Sequence, residues 1–342
     1  MQAIAGKLPS HRSRAAAVWL FAIAAVILAM VLVGGATRVT GSGLSITQWR
    51  PISGIVPPLS HDAWERMFAL YQATPQFRLI NRGMSLSEFQ AIFWWEWGHR
   101  LLGRVLGLVF LVPFAVLLVS KTLPRRLIWR CAVLFALGAL QGAVGWWMVK
   151  SGLEARTSVA PERLAVHLGL ALALLVAVIW TALEAWSGPP SRWGSPRRRQ
   201  PATALFLAAV YVQCLLGALV AGNHAGLIDA DWPLMGGRVI PVDYWQGSVW
   251  ASMVHGPAAV QFDHRVWAYG LLVAGLALAV SVPRGAQRWL ATGIAGLLLV
   301  QVALGVATLL LTVPLALAML HQFTAVSLLA LATGLAWRAR RA

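Results

Sequence analysis

Charged residues and cysteines are both scarce in this chain. Only 11% of its 342 residues are charged, 59% are hydrophobic, and the mean hydropathy is +0.70. A soluble domain of this size does not need so much apolar surface, so a soluble globular protein is excluded. The two cysteines, Cys131 and Cys214, both fall inside apolar stretches. They cannot form a loop disulfide, and we expect both to be buried as small hydrophobic side chains.

Eight apolar stretches each approach the roughly 20 residues that cross a bilayer. The first follows several basic residues, as a signal peptide would. Its apolar run is longer than the ~7–15 residues of such a peptide, so we interpret it as an uncleaved helix. The sequence therefore predicts an all-α, multi-pass membrane protein. The predicted spans are 15–36, 100–120, 128–149, 164–186, 203–222, 265–282, 289–311 and 315–337.

Acidic residues are scarcer than basic ones, with 11 Asp and Glu against 28 Lys and Arg and a net charge of +17. The connections between the predicted helices alternate in charge. One set, together with both termini, has 16 basic residues and a single acid, Glu184, whereas the other set has 12 basic and 10 acidic residues. By the positive-inside rule, the first set and both termini are cytoplasmic. The charge therefore indicates orientation, and we expect no nucleic-acid binding.

The chain repeats one pattern twice. A Gly-Leu pair followed by Trp, Pro, Gly and Pro begins at Gly43 and again at Gly226, 183 residues later. Further along, His167 matches His321, 154 residues later. A shared order with a slowly shrinking offset is what duplication with small deletions produces. Because the repeated unit contains four helices, the two halves have the same orientation, and the sequence predicts two pseudo-symmetric four-helix bundles.

The connections between the helices divide the chain further. The outer connections 38–98 and 223–262 are long for a helical bundle, which predicts lids or short interfacial helices. Residues 85–98 begin with an N-cap signal and could form one such helix. Between the halves, a segment rich in Pro, Gly, Ser and Arg predicts a linker. The predicted divisions are an N-terminal tail (1–14), an N-terminal half (15–186), a linker (187–202), a C-terminal half (203–337) and a C-terminal tail (338–342).

Four histidines lie near the same end of four predicted helices, two in each half. An imidazole in hydrocarbon is costly and rarely incidental. Four at matching places predict two pairs, each converging inside one half, and two facing imidazoles in a helix bundle are typical axial ligands of a haem iron. In the alternative interpretation, each histidine only packs or hydrogen-bonds between helices. The pairs are His99 with His167, and His264 with His321.

Other metal centres fit these residues less well. Glu96 and His99 have the Glu-x-x-His spacing of a di-iron site, but Gln261 takes the place of Glu96 in the second half. The remaining histidines lack a matching carboxylate, and zinc or copper would need thiolates or a compact ligand cluster. Arg100 and Arg265 directly follow two of the histidines. They could pair with haem propionates, or extend to the membrane interface.

The two halves differ three residues before the first histidine of each pair, where Glu96 in the first half corresponds to Gln261 in the second. A carboxylate beside a haem can move protons or stabilise developing positive charge, and an amide cannot. This difference predicts chemistry in the first half and a haem for electron transfer or structure in the second. Alternatively, Glu96 is only hydrogen-bonded at a helix start.

Five stretches of the chain carry a resemblance to a known family. They resemble the haem A synthase family, in its proteobacterial and mitochondrial (type 2) branch, and the resemblance extends from the first predicted helix to the last. The stretches are residues 34–45, 93–104 and 141–149, the Ala-Gly-Asn-His-Ala-Gly-Leu run ending at Leu227, and Phe262-Asp-His-Arg265.

This resemblance implies an oxidoreductase of the bacterial inner membrane that oxidises the C8 methyl group of haem O to a formyl group, giving haem A for cytochrome c oxidase. It implies haem B as a cofactor on His264 and His321, haem O as the substrate on His99 and His167, and a catalytic role for Glu96. The implied partners are haem O synthase (protohaem farnesyltransferase) and membrane lipid, while homo-oligomerisation stays open. Some members have a cysteine pair in an outer loop that this chain lacks, so any redox role of that pair is absent here.

A membrane di-haem b-type cytochrome, which carries electrons without modifying haem, is the alternative function. Such proteins usually hold haems at two depths, with histidines ~13 residues and about 20 Å apart on one helix. No predicted helix here has two histidines so spaced. A transporter is disfavoured because the middle of the membrane lacks charged residues and the repeat is not inverted.

Overall fold

A computed structural model of the chain describes residues 13–188, 200–282 and 285–341. Eight helices in these ranges are long and apolar enough to span a membrane, which confirms the predicted all-α, multi-pass architecture. Most of the predicted N-terminal tail and of the predicted linker lies outside the described residues. The α-helices are α1 (Arg14–Val39), α2 (His61–Gln72), α3 (Pro75–Leu79), α4 (Leu86–Val119), α5 (Arg125–Glu154), α6 (Pro161–Ser187), α7 (Gln200–Gly222), α8 (Pro257–Ser281), α9 (Ala286–Leu310) and α10 (Leu315–Arg341).

The helix that bears His99 is longer than predicted. α4 begins at residue 86 instead of 100, so the separate interfacial helix expected over residues 85–98 is the first part of a membrane span. The expected N-cap is confirmed, because Ser85 and Glu88 form a reciprocal capping box. No proline interrupts the chain between Ser85 and His99, and the fully buried Phe89 packs into an aromatic cluster beneath the outer connection. His99 therefore lies well inside the helix and not at its start.

Two other helix ends also differ from the predicted spans. α8 begins at Pro257, so His264 lies two turns inside it. Proline at the first helical position is favourable because its missing N–H would have no partner there in any case. α10 continues to Arg341 and so includes most of the predicted C-terminal tail. Arginines in this last turn interact favourably with the negative end of the helix dipole.

The membrane helices form two rings that share a wall. In the first half α1, α4, α5 and α6 each contact the next and close back on α1, and in the second half α7, α8, α9 and α10 do the same. The halves meet through α1, α6, α7 and α10, and residues such as Leu175 and Leu329 are almost completely buried there. Each histidine pair therefore belongs to one ring, while the wall between the rings is a continuous apolar core.

The first outer connection folds over the end of the first ring. It contains α2 and α3, in agreement with the predicted short helices. Tyr71 of α2 is fully buried, and Ile46 packs in the same cluster with Phe89 and Phe93 of α4. This packing holds the residues that follow Ser45 against the outer part of α4, one turn from the histidine.

Candidate functional site

The structure places the four histidines as two pairs at one end of the membrane helices. His99 on α4 and His167 on α6 belong to the first ring of helices. The ring centroids of His264 on α8 and His321 on α10 are 6.5 Å apart. A metal–imidazole bond is about 2 Å long, so the rings of the second pair are close enough for a nitrogen of each to reach one metal atom.

Each pair supplies only two metal ligands. Among the described residues there is no group of three or more His, Cys, Asp or Glu side chains that could hold a metal ion. A metal held by such a pair must therefore bring its remaining ligands with it, as the iron of a porphyrin does. The donor set fits haem, and it does not fit a di-iron, zinc or copper centre.

Each histidine ring faces a glycine on the preceding membrane helix. A Cβ atom at any of these glycines would lie closer to the ring carbon Cε1 than the ~3.5–4.0 Å of ordinary carbon contacts. The space that each ring occupies therefore exists only because its neighbour has no side chain. The pairs, with the distance from the Cβ position to Cε1, are Gly34 and His99 (3.0 Å), Gly145 and His167 (2.8 Å), Gly217 and His264 (3.2 Å), and Gly305 and His321 (2.9 Å).

A glutamine one turn before three of these glycines reaches the same histidine ring. In two cases its amide nitrogen also donates to the backbone carbonyl of that histidine, at 2.9 and 3.1 Å. The glutamine thus contacts both the backbone and the ring of the histidine. The amide nitrogen to ring nitrogen distances are 3.2 Å for Gln141 and Nδ1 of His167, 3.1 and 3.3 Å for Gln213 and the Nδ1 and Nε2 atoms of His264, and 3.3 Å for Gln301 and Nε2 of His321.

The sequence contains a signal for these glutamines, part of which also marks the internal repeat. The spacing Gln-x-x-x-Gly occurs at Gln141, Gln213 and Gln301, always in the helix before a histidine-bearing helix. A spacing of four residues places both side chains on one helix face. Their contact with the histidines became visible only when the helices were packed together.

Glu96 is 3% exposed, and hydrogen-bond donors surround it. Its Oε2 atom accepts from the hydroxyl of Ser45 at 2.7 Å and from the backbone N–H of Ile46 at 2.8 Å. Its Oε1 atom accepts from the guanidinium of Arg100 at 2.5 Å. Charge-assisted bonds of this kind hold a carboxylate as an anion in a fixed position. The anion lies one helical turn from His99.

The matching position in the second half has the opposite hydrogen-bond polarity. Gln261 is also 3% exposed, but its amide nitrogen donates to the backbone carbonyl of Asp229 at 3.0 Å. Asp229 lies 183 residues after Ile46, the offset of the repeat in this region. The first half therefore presents a backbone N–H to a carboxylate where the second presents a carbonyl to an amide. Only the first half has a buried charge at this place.

Arg100 and Arg265 anchor the outer loops. Both guanidinium groups donate to main-chain carbonyls of the connection that precedes their helix, at equivalent positions of the repeat. Arg100 also lies over the ring of Trp146, 5.7 Å from its centroid. A role in binding haem propionates stays a prediction for both. The carbonyl acceptors are Ile46 (2.8 Å) and Gln48 (3.2 Å) for Arg100, and Asp229 (3.1 Å), Asp231 (3.0 Å) and Leu234 (3.1 Å) for Arg265.

The two halves are joined at the same end through Arg38, at the end of α1. Its guanidinium donates to the backbone carbonyls of Ala221 and Gly222 near the end of α7, at 2.8 and 3.2 Å. It also lies 2.7 Å from Nε2 of His224. Burial, followed by the charge of Arg38, lowers the pKa of His224. The neutral ring is the form that can accept the hydrogen bond from Arg38.

Comparison with known proteins identifies the family. A family model described as "Cytochrome oxidase assembly protein" matches residues 17–333. Relatives named haem A synthase include those of Caulobacter vibrioides (55% identical over 339 residues, 98% of each chain), Maricaulis maris (47% over 340 residues, 97% of this chain and 98% of the relative) and a Bradyrhizobium species (49% over 326 residues, 92% and 88%). The chain belongs to the cytochrome oxidase assembly protein family, and the resemblance drawn from its sequence is confirmed.

Proposed function

We propose that this protein is a haem A synthase, a membrane enzyme of haem A biosynthesis that acts on haem O. The observation that carries the proposal is the buried Glu96–Arg100 ion pair beside one histidine pair, where neutral Gln261 stands beside the other. An electron carrier with two equivalent haems has no need of this difference. The relatives that share nearly the whole chain are named for the same activity.

The proposed reaction oxidises the C8 methyl group of haem O to a formyl group. Converting a methyl group and one water molecule into an aldehyde releases four electrons and four protons, in two steps of two electrons through an alcohol. His99 and His167 hold the substrate by its iron. Glu96 stabilises positive charge that develops at the carbon, or takes the proton that leaves it. A carboxylate has about four acceptor sites, and three donors leave one of them on Oε1 free for this task.

The C-terminal half is the proposed site of a resident haem B. His264 and His321 would hold its iron, and when bound it supplies a one-electron redox centre for the electrons that leave the substrate. The 6.5 Å separation of the two rings supports this assignment. Both rings contact the amide nitrogen of a glutamine, Gln213 for His264 and Gln301 for His321.

We place both termini in the cytoplasm and both histidine pairs near the opposite face of a bacterial inner membrane. The described ends of α1 and α10 include Arg14 and Arg341, and the cytoplasmic set of connections is the basic one. Glu184, the single acid of that set, is buried and pairs with Arg126 and Arg130, which leaves this face with a large excess of basic residues. Haem O made by a membrane-bound haem O synthase would reach the site through the lipid phase.

Glu96→Gln tests the proposal. The amide has nearly the shape of the carboxylate, and Arg100 keeps its bonds to the carbonyls of Ile46 and Gln48, so we expect the fold and the haem content to persist. Loss of a general acid–base group typically slows a reaction by about 10²–10⁴-fold. Haem A should therefore fall by that factor while haem O or its alcohol accumulates, as measured by chromatography of haems extracted from the purified protein. Glu154→Gln, which removes an exposed carboxylate paired with Lys150, is the matched control.

Normal haem A formation by Glu96→Gln would contradict the catalytic role of this residue. The same extraction separates the proposed enzyme from the alternative function. An electron-carrying cytochrome would yield haem B alone from every variant, including the unmodified protein.

A further inference from the structure

We propose that a cavity at the end of the helices opposite to the histidine pairs binds the phosphate headgroup of an anionic phospholipid. The cavity has a volume of about 590 Å³, within the ~300–1,000 Å³ typical of ligand pockets. It lies where the two halves meet, between the ends of α1, α6 and α10 and the start of α9. The site is separate from the haem chemistry, so the inference does not rest on the proposed function. Its lining includes Arg14, Arg338, Arg341, Trp186 and Trp337.

The cavity lies one membrane thickness away from the histidine pairs. On α10, Arg341 follows His321 by 20 residues, which corresponds to about 30 Å at 1.5 Å per residue. The hydrocarbon core of a bilayer is also ~30 Å thick. Because the histidine pairs are near one face of the membrane, the cavity is level with the lipid headgroups of the other. This is the face that we place in the cytoplasm.

The positive charge of the cavity is not compensated by the chain. Among the described residues, no carboxylate forms an ion pair with any of the three arginines. Glu184, the single acid of this face, already pairs with Arg126 and Arg130. The cavity therefore attracts an anion from outside. The other segments that the sequence assigns to this face also lack Asp and Glu; they are residues 1–12, 189–199 and 283–284.

Two tryptophans hold guanidinium groups of the cavity in place. An aromatic ring attracts a cation within about 6 Å of its centroid and does not occupy the N–H donors. Arg341 also donates to the backbone carbonyls of Ser187 and Gly188, which uses two of its five donors. Donors therefore remain for the oxygens of a phosphate, which guanidinium groups bind in a bidentate manner. The stacked pairs are Arg14 with Trp186 (5.7 Å) and Arg341 with Trp337 (4.8 Å).

An exposed apolar surface leads from the cavity toward the middle of the membrane. Val18 and Phe21 follow Arg14 by four and seven residues, so the three side chains share one exposed face of α1. Leu331, seven residues before Arg338 on α10, is exposed as well. A phospholipid can place its phosphate among the arginines and its acyl chains along this surface, whereas a free phosphate ion makes no use of it. Basic pockets between membrane helices on the cytoplasmic side bind anionic headgroups in this way.

Lipid titration of the purified full-length protein tests the proposal. The protein is delipidated in a nonionic detergent and titrated with phosphatidylglycerol, or with phosphatidylcholine of the same acyl chains. Native mass spectrometry counts the bound lipids and gives their dissociation constants. Arg338→Gln and the double variant Arg14→Gln/Arg338→Gln remove charge from the cavity, while Arg341 stays because it holds the end of α6. Arg125→Gln is the matched control, because Arg125 is an exposed arginine of the same face outside the cavity.

We expect one phosphatidylglycerol molecule to bind far more tightly than phosphatidylcholine. Each arginine beside an anionic headgroup contributes about fivefold in affinity, so three arginines should favour the anionic lipid by about 100-fold. Arg338→Gln should weaken its binding about fivefold and the double variant about 25-fold. Arg125→Gln should leave the affinity unchanged.

Three results would overturn the proposal. The first is equal binding of the two lipids by the unmodified protein, and the second is an equal loss of affinity in Arg125→Gln. The third is displacement of phosphatidylglycerol by free glycerol phosphate, because the ligand would then be a soluble phosphate and not a lipid. If the double variant does not fold, an unchanged affinity in Arg338→Gln overturns the proposal alone.

Discussion

Gly145→Ala is the most direct perturbation of the histidine sites, because a single methyl group is added beside one ring. The new Cβ atom would lie 2.8 Å from Cε1 of His167. Ordinary carbon contacts are about 3.5–4.0 Å, so the ring must retreat by about 0.7 Å or more. His167 cannot yield freely, because Gln141 contacts both its ring and its backbone carbonyl.

The change should affect ligation far more than stability. Overpacking costs about 1–3 kcal/mol, but alanine is favoured over glycine inside a helix by about 1 kcal/mol. The free energy of unfolding should therefore fall by no more than about 2 kcal/mol. A functional constellation must be held to about 0.5 Å, and a misplacement of 1 Å can cost about 10²-fold. We expect the affinity of the N-terminal pair for haem to fall by roughly 10–100-fold.

The assay measures haem content and thermal stability in parallel on the purified protein. Gly142→Ala is the matched control, because it lies one turn earlier on α5 and a Cβ atom there meets nothing within 4 Å. It should retain all its haem and gain up to about 1 kcal/mol. Gly305→Ala, where the Cβ atom would lie 2.9 Å from Cε1 of His321, should lower the haem affinity of the C-terminal pair in the same way. Its control is Gly296→Ala, where the Cβ atom meets nothing within 4 Å.

Two results would refute this reasoning. Full haem content with an unchanged low-spin spectrum in Gly145→Ala would show that the ring of His167 does not need the space that the glycine leaves. Equal haem loss in Gly142→Ala would show that the effect comes from α5 as a whole and not from the contact.

Two further predictions concern residues outside the membrane spans. Ser45→Ala removes one of the three donors to Glu96, which should cost about 1 kcal/mol of carboxylate stabilisation. Haem A formation should therefore slow severalfold while the haem content stays unchanged. An unchanged rate of haem A formation, measured on extracted haems, would contradict this prediction. His224 has its pKa lowered by burial and by Arg38, so its contribution to stability is complete above the unfolded pKa of about 6.5 and is lost as the pH falls below it. Thermal unfolding between pH 8 and pH 5 should show this loss, and His224→Gln should reduce it; identical profiles for the two proteins would refute the role of His224.

Much of the architecture was predictable because its causes are local. The apolar runs predicted eight spans, and Ser85 with Glu88 predicted a helix start that the structure confirms. The extent of α4 was predicted wrongly, because residues 85–98 are less apolar than a lipid-facing helix. Tertiary packing decided the matter, since Phe89 and its neighbours are covered by the outer connection and the helix continues through them.

The candidate site divides in the same way. The sequence by itself determined the four histidines and the contrast of Glu96 with Gln261, because hydropathy and internal repetition are readable along the chain. Only the tertiary structure decided which side chains contact those residues and donate hydrogen bonds to them. Ser45 reaches Glu96 across 51 residues of sequence, and Gln213 reaches His264 across 51, through helix contacts that no local pattern encodes.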